Sequence, residues 1–130
     1  MISERYKLSY YAIVFIGNLL GVLLIWAVTH QLTWAAATPV ALAKAQQSLV
    51  VATMKGIGCG MLMSLATYEK SPLWMCLLCV PAFILAGFNH CIADAYYALA
   101  GLKIGIPFIA TIVGNICGGI LLSNLITGEQ

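Results

Sequence analysis

The chain has 130 residues, of which 62% are hydrophobic and 8% are charged, and its formal net charge is +2. Soluble domains carry roughly 25% charged residues, so this composition excludes a soluble globular protein, and so small a net charge gives no indication of nucleic-acid binding. Long apolar runs instead indicate an all-α membrane protein, because about 20 apolar residues are needed to cross a bilayer core.

We predict four transmembrane segments from the apolar runs. Together they form a single transmembrane region over residues 1–130. In chain order the segments are residues 8–29, 48–67, 73–100 and 104–126. An even number of segments places both termini on one side of the membrane. The basic residues then divide as follows: Arg5, Lys7 and Lys70 lie with the termini, and Lys44 and Lys103 lie opposite. The positive-inside rule therefore favours cytoplasmic termini.

The first and last segments share a sequence repeat. Both "FIGNLLGVLLIW", residues 15–26, and "IVGNICGGILLS", residues 112–123, contain Gly-Asn-x-x-Gly followed by aliphatic residues. Two segments separate the copies, so the copies cross the membrane in opposite directions, which is typical of inverted-repeat transporters and channels. The chain then contains one full repeat of three segments and the last third of another. Chance recurrence of glycine-rich packing faces is the alternative.

The third segment is predicted to be a broken helix. It is longer than one upright helix requires, and it contains Pro81, Gly87 and Asn89. Proline removes a backbone donor and glycine favours non-helical backbone, and interrupted segments place such backbone where it lines a protein cavity. We therefore predict half-helices over residues 73–85 and 91–100, with the break near Gly87–His90. A long tilted helix with a proline kink is the alternative.

Two ionisable residues lie in the second half of this segment. A bare ion in hydrocarbon is costly, so ionisable residues inside membrane segments are usually functional. His90 suits the movement of anions, because imidazole changes its charge near neutral pH. Asp94, four residues on, shares a helix face with His90 and is predicted to orient the ring. The alternative is a packed histidine bonded to a carbonyl that the break has freed.

At these residues the chain resembles the formate/nitrite transporter family. The broken fifth helix of that family carries "SGFEHSVANM", which "AGFNHCIADA" matches at Gly87, Phe88, His90 and Ala93. The two Gly-Asn motifs are similar to those of the family's third and sixth helices, and "GIGCG", residues 56–60, is similar to a stretch of its fourth. The family's first two helices have no counterpart in this sequence.

The resemblance implies a pore. Members of the family form pentamers in the bacterial inner membrane and pass small monovalent weak-acid anions such as formate, nitrite and hydrosulfide. His90 is similar to the pore histidine, with Asn89 in place of a glutamate and Asp94 in place of an asparagine. Lys44 resembles a lysine at the outer mouth of the pore, where an ammonium attracts anions. A lysine that reaches the membrane interface is the alternative.

The sequence thus predicts a channel subunit that binds membrane lipid and small anions and forms a homo-oligomer or a complex with a chain that supplies two helices. The candidate pore residues are Lys44, Phe88, Asn89, His90 and Asp94. The residues with predicted structural roles at helix breaks and packing faces are Asn18, Gly87, Asn115 and Gly118. The alternative is a truncated or accessory membrane subunit with no pore of its own. The sequence assigns neither the anion nor a role for Lys55.

An enzyme is not expected, because one deep histidine without a second base is no catalytic constellation. The pair Cys76-Leu-Leu-Cys79 has the spacing of half a zinc site, but no second pair completes it. Neither a metal nor a cofactor is therefore expected.

Overall fold

The computed structural model describes residues 8–128, with the side-chain surroundings of residues 12–126 and 128. Every regular element in this part of the chain is helical. The elements are α1 (Leu8–Ala45), α2 (Leu49–Thr67), α3 (Leu73–Leu85), α4 (Cys91–Ala100) and α5 (Ile106–Thr127). Three of the described helices, α1, α2 and α5, are long and apolar enough to cross a membrane. The predicted all-α membrane fold with a broken third segment is confirmed. The prediction of cytoplasmic termini used Arg5 and Lys7, and both lie outside the described residues.

Helix α1 continues to Ala45, past the predicted end of the first segment at residue 29. Two of its side chains bind side chains of α4. The hydroxyl of Thr29 bonds to that of Tyr96 at 2.8 Å, while the ammonium of Lys44 lies 2.8 Å from the carboxylate of Asp94. A Cβ atom built on Gly101, at the end of α4, would lie 2.5 Å from the Cβ of Ala41, which lies between these two α1 residues. The second half of α1, which contains Pro39, therefore packs on the end of α4.

Helices α2 and α5 are parallel, and their backbones touch at glycines. A Cβ atom built on Gly114 would lie 2.4 Å from the carbonyl oxygen of Thr53, and one built on Gly118 would lie 2.1 Å from that of Ile57. On the other helix, a Cβ on Gly60 would lie 2.2 Å from the carbonyl oxygen of Asn115. Side chains larger than hydrogen do not fit at these crossings, which is the usual reason for glycine in a membrane helix contact.

The other copy of the repeat has a different environment. A Cβ atom built on Gly17 or Gly21 would meet no described atom within 4 Å. The amide of Asn18 donates to the carbonyl of Val14, 2.9 Å away within the same helix. In the described chain the face of α1 that carries this motif is thus open, whereas the equivalent face of α5 is covered by α2.

The break between α3 and α4 is a short irregular stretch that Gly87 makes possible. Gly87 has φ +65°, in the left-handed region that glycine enters without a steric penalty. The next amide, of Phe88, donates back to the carbonyl of Phe83 at 3.0 Å. Helix α4 then starts after His90, whose side chain caps it. Pro81 lies inside α3, so the turn at Gly87 and not the proline ends the helix.

Candidate functional site

Asn115 holds the broken segment in place from α5. Its amide nitrogen donates to the carbonyl oxygens of Asn89 at 2.8 Å and Gly56 at 2.9 Å. Its amide oxygen accepts from the backbone N–H of Cys91 at 2.9 Å. Backbone groups that a helix break leaves unpaired must find partners inside the protein, because hydrocarbon offers none. One asparagine therefore supplies partners on both sides of His90.

Asn18, for which the sequence predicted the same role, does not act in this way. Its amide bonds within α1 and not to the broken segment. The two asparagines occupy equivalent places in the repeat, but of the two side chains only that of Asn115 bonds to the backbone of the break in the described chain. Asn18 instead contributes to the wall of a cavity that also contains His90.

The imidazole of His90 is fixed from two directions. Its Nδ1 accepts from the backbone N–H of Ala93 at 3.4 Å, as the cap of α4. The ring stacks on Phe83, with ring centroids 5.3 Å apart and an interplanar angle of 24°. Because Nδ1 acts as an acceptor, a neutral ring carries its hydrogen on Nε2. The residue is therefore set up to donate a hydrogen bond from Nε2.

In the described chain, His90 lines three cavities. One, of about 480 Å³, lies along the open face of α1 at Gly17 and Gly21. The other two come together at the histidine. We call one the lysine cavity, of about 460 Å³; its wall includes Lys44, Lys55, Phe88, His90 and Asp94. We call the other the asparagine cavity, of about 630 Å³; its wall includes Asn18, Gly60, Ser64, His90 and Asn115. The lysine cavity meets α2 near its start and the asparagine cavity meets it towards its end. The two cavities thus approach the histidine from opposite ends of the helices.

A polar network surrounds the buried side chain of Asn89, which is 1% exposed. The ammonium of Lys44 donates to its amide oxygen at 2.9 Å. Its amide nitrogen donates to the side-chain oxygens of Gln47 at 2.7 Å and Thr111 at 3.1 Å. Every polar atom of this side chain is thus paired, which offsets the cost of burying it. Gln47 and Thr111 were not predicted; Thr111 lies one turn before Asn115 in α5, and that spacing was the available signal.

The carboxylate of Asp94 lies 2.8 Å from the ammonium of Lys44, and the side chain of Asp94 is 5% exposed. The sequence predicted instead that Asp94 orients the ring of His90. The contacts described for that ring are with Phe83 and with the N–H of Ala93. An ammonium within ion-pair distance is a stronger partner for a buried carboxylate than a neutral imidazole is, so the structure differs from the prediction here.

Phe88 lies beside the break and lines the lysine cavity. A Cβ atom on Gly58 would lie 2.7 Å from its ring, so the ring rests directly on the backbone of α2. The described residues contain no group of three histidine, cysteine or acidic side chains placed to hold a metal ion. The groups available for chemistry at this site are therefore hydrogen-bond donors and charges.

Long apolar helices and a broken segment define a multi-pass membrane protein. The family model described as formate/nitrite transporter matches residues 3–127, and the chain belongs to that family. The family is one of channels and transporters and not of enzymes. No match was found among curated proteins or among solved structures.

Proposed function

We propose that the chain is a channel subunit that passes small monovalent weak-acid anions, such as formate, nitrite or hydrosulfide, across the bacterial inner membrane. The observation that carries this proposal is the position of His90 between the lysine cavity and the asparagine cavity. An ion that moves from one cavity to the other comes within reach of the imidazole. On the lysine side, Phe88, Lys44 and Asp94 line that passage, and the buried Asn89 supports it by binding the ammonium of Lys44.

The chemistry of passage follows from the cost of desolvating an anion. A bare anion in an apolar constriction is far less stable than the neutral acid. The Nε2–H of His90 donates a hydrogen bond to the anion at this point, or the imidazolium lends it a proton. The bond between Nδ1 and the N–H of Ala93 keeps Nε2 as the donor. Transport should accordingly become faster as the external pH falls, because protonation assists passage.

We further propose that the working form is an oligomer with cytoplasmic termini, a pentamer by the family resemblance, or a complex with a chain that supplies two helices. The open face of α1 at Gly17 and Gly21 supports an additional helix there, because the equivalent face of α5 is covered by α2. The same open face favours the second candidate function, an accessory subunit that has no pore of its own. Cysteines introduced at Lys70 and Lys103 should be labelled from opposite sides of the membrane; labelling from one side contradicts the topology.

Flux in liposomes tests the proposal. The assembly is purified in mild detergent, with any chain that accompanies it, and the uptake of formate, nitrite and hydrosulfide is measured at a series of external pH values. His90→Phe should remove the pH dependence and leave the fold intact. The matched control is His30→Phe, because His30 lies on α1 against Trp26, with ring centroids 5.1 Å apart, and should keep the parent profile.

Three outcomes separate the alternatives. If His90→Phe transports these anions like the parent at every pH, the histidine only packs and the mechanism is wrong. If the assembly passes none of them, even with a two-helix chain supplied, the accessory function is favoured. A monodisperse monomer with no accompanying chain contradicts the proposed assembly.

A further inference from the structure

The lysine cavity contains two ammonium groups, and only one of them is paired. The ammonium of Lys44 lies 2.8 Å from the carboxylate of Asp94 and 2.9 Å from the amide oxygen of Asn89. The exposed fractions of Lys44 and Asp94 are 22% and 5%, so the pair is largely shielded from water. An ammonium held in this way contributes little net charge to the cavity, because the carboxylate beside it cancels its field.

Lys55 is different. It lies in the second turn of α2, is half-buried and lines the same cavity. Within the described chain, the ammonium of Lys55 has no carboxylate at ion-pair distance and donates no hydrogen bond. The charged and titratable side chains that share this cavity are Lys44, Asp94, His90 and Tyr97. Because Lys44 and Asp94 pair with each other, the net positive charge from the lysine and aspartate side chains of this cavity is that of Lys55.

Lys55 is also held close to the break. Its backbone carbonyl accepts from the N–H of Asn89 at 3.3 Å, and Asn89 is the residue before His90. One turn further along α2, Gly58 touches the ring of Phe88. The base of the Lys55 side chain is therefore fixed next to the segment that carries the histidine, on the lysine side of it.

We propose that Lys55 binds the transported anion in the lysine cavity before the anion reaches His90, and that Lys44 is a positioning residue that ties the end of α1 to α4. The inference rests on the proposed function for the identity of the anion. An ammonium in a partly dehydrated cavity makes a stronger hydrogen bond to an anion than it does in water. A monovalent anion neutralises the single net charge, so the site favours one small anion at a time.

The test compares lysine variants of the purified assembly in two measurements. One is the formate concentration that gives half-maximal flux in liposomes, and the other is the rise in unfolding temperature on titration with formate in detergent. Lys55→Gln should raise the half-saturating concentration about tenfold or more, the loss expected for one charge-assisted hydrogen bond. Lys55→Arg should restore binding. Lys70→Gln removes an exposed lysine at the other end of α2 and should match the parent.

The Lys44 and Asp94 variants separate binding from positioning. Lys44→Gln leaves a buried carboxylate without its partner and should lower the unfolding temperature, and Lys44→Gln combined with Asp94→Asn should recover part of that loss. Asp94→Asn alone releases the charge of Lys44 into the cavity, so Lys55→Gln should have a smaller effect in that background. If Lys44→Gln weakens formate binding tenfold while Lys55→Gln does not, the assignment of the two lysines is wrong.

The two measurements distinguish failure of this inference from failure of the proposed function. If formate stabilises the parent but not Lys55→Gln, and no variant transports, the binding site is supported and the transport function is refuted. If the parent transports formate and Lys55→Gln has the same half-saturating concentration, the function is supported and the Lys55 site is refuted. If formate neither stabilises nor crosses, both are refuted.

Discussion

Replacing Gly118 by alanine should separate α2 from α5 and thereby loosen the broken segment. The new Cβ would lie 2.1 Å from the carbonyl oxygen of Ile57, whereas ordinary contact begins near 3.4 Å. Both atoms belong to helix backbones, so neither moves alone, and the helices must part by about 1 Å at this point. Overpacking of this kind costs roughly 1–3 kcal/mol. The higher helix propensity of alanine offsets about 1 kcal/mol of this cost.

The larger loss comes from Asn115, three residues earlier on α5. Its hydrogen bonds to Asn89, Cys91 and Gly56 are 2.8–2.9 Å long, so a shift of about 1 Å breaks them. At roughly 1 kcal/mol for each of these three net bonds, the summed destabilisation is about 3–5 kcal/mol. Thermal unfolding in detergent, followed by tryptophan fluorescence, should show Gly118→Ala several degrees below the parent.

Gly119→Ala is the matched control, because among the described atoms a Cβ at that neighbouring position meets only the carbonyl oxygen of Gly60, at 3.9 Å. It should unfold at the temperature of the parent or slightly above it. If Gly118→Ala and Gly119→Ala unfold at the same temperature, the backbone contact between α2 and α5 does not hold the break in place, and the reasoning is refuted.

Substitutions at three further positions, two of them with a matched control, test the segment around the histidine. Asn115→Leu should lower the unfolding temperature by several degrees, because it leaves two backbone groups of the break without a hydrogen-bond partner. Asn18→Leu loses a bond within one helix and should not lower it. Equal unfolding temperatures for the two variants would refute this distinction. Gly87→Ala should cost about 1 kcal/mol in denaturant unfolding, because φ is +65° there, and Gly87→Asn should cost less. Tyr96→Phe removes a hydroxyl that bonds two threonines of α1, so amides of α4 should exchange hydrogen faster by mass spectrometry; unchanged exchange would show that these bonds do not hold the helix.

The break was predictable because its signals are local. Gly87 supplies the left-handed backbone, and polar residues follow it within a few positions of an otherwise apolar run. The length of α1 was not predictable in the same way. Residues 30–45 are rich in alanine, so their sequence fits a loop as well as a helix, and a proline at position 39 favours the end of a helix over its continuation.

The pairing of Lys44 with Asp94 depends on tertiary structure that no sequence pattern contains. The two residues are far apart along the chain, and they meet because the last turn of α1 lies beside α4. The different behaviour of Asn18 and Asn115 has the same origin. Identical motifs give different contacts, since α2 packs on one copy and the described chain places nothing on the other.

The shortness of the two half-helices has a consequence for the biosynthesis of the protein. Helices α3 and α4 have 13 and 10 residues, so neither spans a hydrocarbon core, which requires about 20. Asp94, in the first turn of α4, opposes transfer of that helix into lipid. Its cationic partner belongs to α1, which leaves the ribosome first, and is therefore already at the membrane when Asp94 emerges. Insertion of this segment is thus a folding step guided by earlier helices, and not an independent partition into the bilayer.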